Sequence, residues 1–254
     1  MATGKEFEIE REFEVDASPA EVWDAFTTGT GGWLWPMAEY EPREGGAAPF
    51  GGTVTRWEPP HRLTDRVDDP EGLPPGQTLN QLDRTIEPRD GGRRSWVRYV
   101  HSGILTDDWN NQYDGASRHT DFYLHTLRQY LTYFTGLPVT FTSLDAPAPA
   151  PAPPPAPAAA PDAFVRLGRR LGLPDDASEG ARVRVDAPGE PLDAMVDFRS
   201  RHFIGLRTDT ALYRFFGRNH FGAPVSISIH DFAPQADAKG TEMAWRDWLL
   251  RLYA

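Results

Sequence analysis

The side chains with the clearest capacity for chemistry in this sequence are Arg11, Tyr99 and His101. Arg11 falls on the apolar face of an alternating strand pattern, where a charge is costly unless it is paired or reaches a solvated cavity. Tyr99 and His101 are two residues apart in another strand pattern, so their side chains share one face. The structural interpretation is an Arg–Asp pair and a satisfied histidine. The functional interpretation places all three inside a ligand cavity, with a general base as a further role for His101.

Tryptophan is dense in the same part of the chain. Five of the eight tryptophans lie between residues 33 and 109. This exceeds what a small core requires, and each indole N–H needs a hydrogen-bond partner. Apolar pockets carry a few polar groups of this kind, so we predict that aromatic side chains line a pocket. The predicted ligand-binding residues are Arg11, Trp33, Trp35, Trp57, Tyr99, His101, Trp109, Tyr123, Leu127 and Tyr130.

Catalytic and metal-binding motifs are absent from the sequence. The seven histidines do not have the spacing of a metal site such as HExxH. The sequence lacks cysteine and the GxSxG pattern of a serine nucleophile. We therefore expect no metal, no cofactor and no catalytic residue. Whether the protein is an enzyme stays open at this point, and a protein without catalytic activity is favoured.

The first elements of the chain carry strong local signals. Residues 6–15 alternate between glutamates and mainly apolar residues, which predicts a strand with one face in solvent. Ser18, Pro19 and Glu21 form a capping-box pattern, which predicts a helix start. A glycine-rich turn at residues 29–32 ends this helix and leads into the Trp33–Trp35 segment.

The following residues predict more strands and a long helix. Asp90-Gly91-Gly92 predicts a hairpin turn. Apolar residues recur at helical spacing from Tyr123 to Phe134, and Gly136 and Pro138 follow them, which predicts a helix end. The predicted strands cover residues 51–57, 62–68, 77–86 and 94–105; residues 107–114 are predicted as a polar loop and residues 117–134 as the helix.

A family resemblance accompanies these motifs. A strand, an Ala-Ser-Pro-x-x-x-Trp helix start and a Trp-rich segment resemble the START-like superfamily, also called SRPBCC or helix-grip. The chain is most similar to the branch named for the activator of the ninety-kilodalton heat-shock chaperone's ATPase, over about residues 5–136. The resemblance implies an α+β helix-grip fold, in which a curved antiparallel sheet wraps a long C-terminal helix and a hydrophobic cavity opens between them. Matching segments are Gly51–Val54, Pro59–Leu63 and Val100–Gly103.

An Ala/Pro-rich segment divides the chain. Residues 146–161 contain only alanine and proline, which is typical of a semi-rigid spacer. We therefore predict domains at residues 1–144 and 162–254 with a linker at 145–161. The second domain is predicted to be a smaller α+β domain and a reduced copy of the same half-fold, with His230 in the place of His101. Its predicted elements include a brief helix at residues 209–216.

Charge and composition restrict the partners. The net charge is −11, and residues 160–254 contain 13 basic and 13 acidic residues, so the whole excess lies before them. An acidic domain repels phosphate backbones, which argues against nucleic acid and anionic membranes. The absence of cysteine favours a reducing cytoplasm. The sequence also lacks an apolar stretch long enough to span a membrane.

Three functions fit these observations. The first is non-catalytic binding of a hydrophobic or aromatic small molecule in the helix-grip cavity. The second is a protein-partner module resembling a co-chaperone. The third is an enzyme of the polyketide cyclase or aromatase type, which shares the fold. Fold analogy alone does not choose among them, and we favour the first.

Overall fold

The computed structural model describes residues 4–68, 71, 73, 76–146 and 157–254. The chain divides into two compact units, Met1–Thr135 and Gly136–Ala254. Each unit contains a six-stranded antiparallel sheet and two helices. The predicted α+β helix-grip class is therefore confirmed. None of the helices in the described part of the chain has the length and hydrophobicity needed to cross a bilayer. The cytoplasmic location stays a prediction.

The first unit begins with a strand whose two faces differ in the predicted way. All five glutamates of the strand are exposed, while Phe7, Ile9 and Val15 are buried. The strand pairs with the last strand of the sheet, and the other strands follow in sequence. The elements are β1 (Lys5–Val15), α1 (Pro19–Phe26), β2 (Ala47–Ala48), β3 (Gly52–Glu58), β4 (Arg62–Val67), β5 (Gln77–Arg89), β6 (Arg94–Leu105) and α2 (Trp109–Tyr133).

Helix α2 begins eight residues before the predicted start. Residues 109–114 of the segment predicted as a polar loop belong to the start of this helix. Trp109, Tyr113 and Ala116 lie at i, i+4 and i+7 and pack against the buried Phe7 and Ile9 of β1. The polar residues between them obscured this helical stripe, because side-chain polarity alone does not distinguish a loop from the solvent face of a helix.

The second unit has the same connectivity as the first. Its first strand pairs with its sixth, a short helix follows the first strand, and a long helix follows the sixth. The unit thus contains all six strands, which is more than the reduced half-fold predicted. The elements are β7 (Thr140–Asp145), α3 (Ala163–Arg170), β8 (Arg182–Val185), β9 (Leu192–Arg199), β10 (Phe203–Arg207), β11 (Ala211–Phe216), β12 (Ser226–Asp231) and α4 (Ala238–Tyr253).

One domain boundary and one secondary-structure element differ from the prediction. Residues 140–144 were assigned to the first domain, but β7 pairs with β12 along its whole length and belongs to the second sheet. The brief helix predicted at residues 209–216 is wrong, because β11 occupies this segment between β10 and β12. Pairing on both sides supplies more hydrogen bonds than one isolated helical turn. Most of the predicted linker, residues 147–156, lies outside the described residues.

A buried ion pair crosses the second sheet. Arg214 of β11 donates to both carboxylate oxygens of Asp197 of β9, each at 2.9 Å, and both side chains are almost fully buried. Gly205 of the intervening strand β10 pairs with Arg214. A Cβ atom at this glycine would overlap Asp197 Oδ1 and crowd Arg214 Nη1. Glycine at this position therefore lets the ion pair pass over the central strand.

His230 and His101 lie on different faces of their sheets. Tyr213 and Phe215 of β11 contact Trp245 of α4, so His230, which shares the alternate face with Arg214, points away from α4. His101 lies on the face of the first sheet that meets α2. The two histidines therefore lie on equivalent strands of their sheets, as predicted, but on opposite faces relative to the long helix.

Candidate functional site

A pocket with a volume of ≈ 450 Å³ lies between the first sheet and helix α2. Its surface is mostly apolar and aromatic, and polar groups from three strands interrupt it. The sheet contributes Leu82, Tyr99 and His101, and α2 contributes Ala116 and Tyr123. The segment between α1 and β3 supplies a third side, with Trp33, Trp35, Met37, Tyr40 and Phe50.

Helix α1 positions the first aromatic side chains. Its start is fixed by the predicted capping box, in which Ser18 and Glu21 bind each other's backbone N–H groups. Phe26 at its last turn stacks on Tyr99, with ring centroids 6.4 Å apart. Trp33 donates its indole N–H to the carbonyl oxygen of Ala25 at 2.8 Å. The tryptophan is thereby held against the end of the helix, with its ring in the pocket wall.

Phe50 lies at the opening of the pocket with a strained backbone. Its φ of 61° is in the left-handed region, which costs about 1–2 kcal/mol for a residue with a Cβ atom. The side chain is 56% exposed and meets Trp35 edge-on at 6.5 Å. Trp35 in turn meets Tyr123 of α2 edge-on at 5.7 Å. The three rings form one aromatic edge of the opening.

A buried ion pair forms part of the pocket wall. Arg84 of β5 contacts Asp65 Oδ2 of β4, and both residues are at most 5% exposed. Tyr40 donates to the same oxygen at 3.0 Å and accepts a hydrogen bond from Arg84 Nη1 at 3.2 Å. Arg84 also reaches the carbonyl oxygens of Leu63 and Leu82. These bonds compensate the cost of burying two charges.

A second set of polar side chains in the wall consists of His101, Asn80 and Gln77. His101 Nε2 lies 2.6 Å from Asn80 Oδ1, and Gln77 donates to the same oxygen at 3.1 Å. Burial lowers the pKa of His101 to about 4, because desolvation penalises the charged imidazolium. Burial also raises the pKa of the neighbouring Tyr99 to about 12. Both side chains are therefore neutral at pH 7.

Half of the predicted ligand-binding residues line the pocket. These are Trp33, Trp35, Tyr99, His101 and Tyr123. Their role in binding stays a prediction. The structure does bring them together around one space.

The other five predicted residues have structural contacts away from the pocket lining. Arg11 donates to Asp121 at 2.6 Å and to Ser117 at 2.9 Å, both on α2. This Arg–Asp pair corresponds to the structural interpretation of Arg11 given above. Trp57 packs edge-on against Trp23 of α1.

Trp109, Leu127 and Tyr130 belong to α2. Trp109 stacks on Tyr113 and donates to a carbonyl oxygen of β1. Leu127 is fully buried, and Tyr130 packs against Gly32, where a Cβ atom would overlap its ring. The helical spacing of Leu127 and Tyr130 identified a buried stripe without showing which of its residues face the pocket, whereas Trp109 was predicted in a loop.

Two groups of the pocket wall were not predicted from the sequence. These are the Arg84–Asp65 ion pair and the amide side chains of Gln77 and Asn80 beside His101. Asp65 lies two residues from both Leu63 and Val67, so it shares their face of the strand. Arg84 lies two residues from both Leu82 and Ile86. Both charged residues therefore occupy apolar positions of a strand pattern. The same signal was recognised for Arg11. Applied to β4 and β5, it would have identified two further candidates.

No protein-family model and no curated protein matches the chain. Similar solved structures include protein MLL2253 from Mesorhizobium loti, with 21% identity, a TM-score of 0.41, and coverage of 50% of this chain and 98% of that chain. The Aha1 dimer from Colwellia psychrerythraea has 17% identity and a TM-score of 0.37, covering 49% of this chain and 96% of that chain. DynU16, from the dynemicin biosynthetic locus, has 12% identity and a TM-score of 0.38, covering 97% and 95%. These similarities do not identify the function of the chain.

Proposed function

We propose that the first unit binds a flat, largely apolar small molecule in the pocket between its sheet and α2, and that it holds this molecule without converting it. The observation that carries the proposal is the pocket itself. Its volume of ≈ 450 Å³ falls within the range of about 300–1,000 Å³ that is usual for small-molecule sites. Flat aromatic walls with a few fixed polar groups favour a ligand of the same shape.

The polar groups in the wall favour one alternative, an enzyme of the cyclase or aromatase type, because such an enzyme requires acids and bases that converge on the substrate. The charge states argue for binding. An imidazole with a pKa of about 4 is a weak general base at pH 7, where catalytic bases work best with a pKa near the operating pH. Asp65 is already engaged by Arg84 and Tyr40. The protein-partner alternative stays a prediction from the resemblance.

A pocket-filling substitution tests the proposal. Ala116 lines the pocket from α2, so Ala116→Trp places an indole in the space that the ligand would occupy. Ala244 is exposed on α4, and Ala244→Trp is the matched control for adding an indole to a helix. The probe is N-phenyl-1-naphthylamine, a neutral aromatic dye whose fluorescence rises in apolar surroundings.

We expect the dye to bind the native protein and the Ala244→Trp variant equally well. The Ala116→Trp variant should bind at least tenfold more weakly, which corresponds to about 1.4 kcal/mol. Circular dichroism checks that both variants fold. The absence of saturable binding, or equal binding by both variants, would show that the pocket is not a ligand site.

A further inference from the structure

A chain of amide groups in the pocket wall fixes the orientation of Gln77 and Asn80. Gln77 Nε2 lies 3.1 Å from the carbonyl oxygen of Leu79, and a carbonyl oxygen only accepts hydrogen bonds. This atom of Gln77 is therefore the N–H₂ group. The same nitrogen lies 3.1 Å from Asn80 Oδ1, so the facing atom of Asn80 is the acceptor oxygen.

Asn80 in turn fixes the tautomer of His101. Its Oδ1 lies 2.6 Å from His101 Nε2, and because this oxygen accepts, Nε2 carries the proton. A neutral imidazole has one proton, so Nδ1 keeps its lone pair. The low pKa of His101, about 4, preserves this state at neutral pH. The backbone carbonyl of Leu79 thus determines, through two amides, which nitrogen of the histidine is an acceptor.

His101 Nδ1 keeps its lone pair on a residue that lines the pocket. His101 lines the pocket and is only partly buried. Its neighbours include Leu82, opposite it on β5, and the edge-on ring of Phe7 at 5.0 Å, neither of which offers a side-chain donor. In the described part of the chain, Nδ1 has no hydrogen-bond donor, although Nε2 on the same ring is satisfied.

The Arg84–Asp65 ion pair in the wall does not attract anions. Tyr40 and Arg84 both reach Oδ2 of Asp65, and the Asp65 side chain lines the pocket. The aspartate neutralises the arginine, so the wall offers no net positive charge to a carboxylate or phosphate. The lone pair of His101 is itself unfavourable for an anionic ligand, because it offers no proton.

We propose that the pocket selects neutral hydroxylated aromatic molecules, whose O–H group donates a hydrogen bond to His101 Nδ1. The inference deepens the proposed function and rests on it. A hydroxyl group supplies the donor that the histidine lacks, while the fused rings of the ligand contact the aromatic walls. A ketone or ether of the same size offers only acceptors and leaves Nδ1 desolvated without a partner, which is costly.

Three probes of the same shape test the inference, namely 2-naphthol, 2-methoxynaphthalene and 2-naphthoate. Their dissociation constants are measured at pH 7 by calorimetry on the full chain. We expect 2-naphthol to bind about fivefold more tightly than the methyl ether, since one hydrogen bond contributes about 1 kcal/mol, and the anion to bind most weakly. In His101→Phe the preference for naphthol over its ether should disappear. His61→Phe, which changes an exposed histidine outside the pocket lining, should keep it.

The outcomes separate the inference from the proposed function. Equal binding of naphthol and its ether would overturn the hydroxyl inference while leaving the pocket a ligand site. Absence of binding by all three probes would overturn both. The tautomer can also be read from the native protein, without any variant, in a two-bond ¹H–¹⁵N spectrum of the histidine rings. A proton on Nδ1 of His101 would overturn the inference, and a proton on Nε2 would support it.

Discussion

Arg11, Arg84 and His101 occupy apolar positions of the first sheet and have three different environments. Arg11 is partly exposed and paired with α2. Arg84 is buried and paired within the sheet. His101 is neutral and is held by an amide. One sequence signal, a polar residue at an apolar position of a strand, therefore has three structural outcomes, and the partner of each residue decides which one occurs.

The low pKa of His101 predicts a loss of stability in weak acid. In the unfolded chain its pKa is near 6.5, whereas in the folded protein it is about 4. As the pH falls below about 6.5, the unfolded chain takes up a proton that the folded protein does not. Stability is therefore lost between about pH 6.5 and 4 and is fully present above that range.

His101→Gln should remove this loss. Between pH 7.5 and pH 5.5 the native protein should lose about 1 kcal/mol more unfolding free energy than the variant, as measured by urea denaturation at the two values. His61→Gln, at an exposed site, should behave like the native protein. If the native protein and His101→Gln lose the same amount, His101 titrates normally in the folded state.

At the scale of elements, the contact between β1 and α2 holds the long helix against the first sheet. The start of α2 packs on Phe7 and Ile9 through Trp109 and Tyr113. Directly after Ala116, Ser117 accepts a hydrogen bond from Arg11, and one turn further along the helix Asp121 accepts another. The prediction of the helix start failed because these apolar contacts come from a strand about 100 residues earlier. The local sequence does not show such a distant partner.

Arg11→Met tests whether the arginine joins these two elements or contacts the ligand. Because the pair with Asp121 is partly exposed, we expect the variant to lose up to about 1 kcal/mol of stability in urea denaturation. The affinity for the dye or for 2-naphthol should stay the same. In a double-mutant cycle, Asp121→Asn should cost little once Arg11 has been replaced. A tenfold loss of ligand affinity in Arg11→Met would instead assign the arginine to the site.

At the scale of the whole molecule, the two units share one strand connectivity but differ in how the space between the sheet and its long helix is filled. In the first unit, the space between the sheet and α2 contains the pocket. In the second unit, Trp245 and Trp248 of α4, with Tyr253, join the core formed by the sheet and α3. Trp245 contacts Trp248 and Phe215, and these side chains are at most 4% exposed. Aromatic side chains of α4 thus pack against the second sheet, and the cleft of ≈ 730 Å³ in this unit is lined instead by β8, β9 and the turn between β10 and β11, with Tyr213.

Two tryptophan truncations should show this difference. Trp248→Ala removes a fully packed side chain and should cost about 3–5 kcal/mol, because the cavity left behind cannot collapse completely. Trp35→Ala removes a half-buried ring at an existing pocket, so it should cost less than about 2 kcal/mol and weaken binding of the dye. Unfolding in urea, followed by circular dichroism, measures both. A larger loss for Trp35→Ala would contradict the contrast between the two interiors.

The sequence alone determined the elements with local signals. Strict alternation fixed β1, the capping box fixed α1, and the Asp90-Gly91-Gly92 turn fixed the hairpin of β5 and β6. These features depend on neighbouring residues, which the sequence shows directly. The same signals, with the resemblance, were sufficient for the helix-grip class.

The tertiary structure decided which residues meet. Asp65 lies beside Arg84, and Asn80 beside His101, because the registers of β4, β5 and β6 bring distant residues together. A shift of one residue would turn each side chain to the other face of the sheet. The amount of space left between a sheet and its closing helix likewise depends on how large side chains from several elements pack. No local pattern gives that total, and for this reason the pocket of the first unit and the aromatic packing of α4 in the second are visible only in the folded chain.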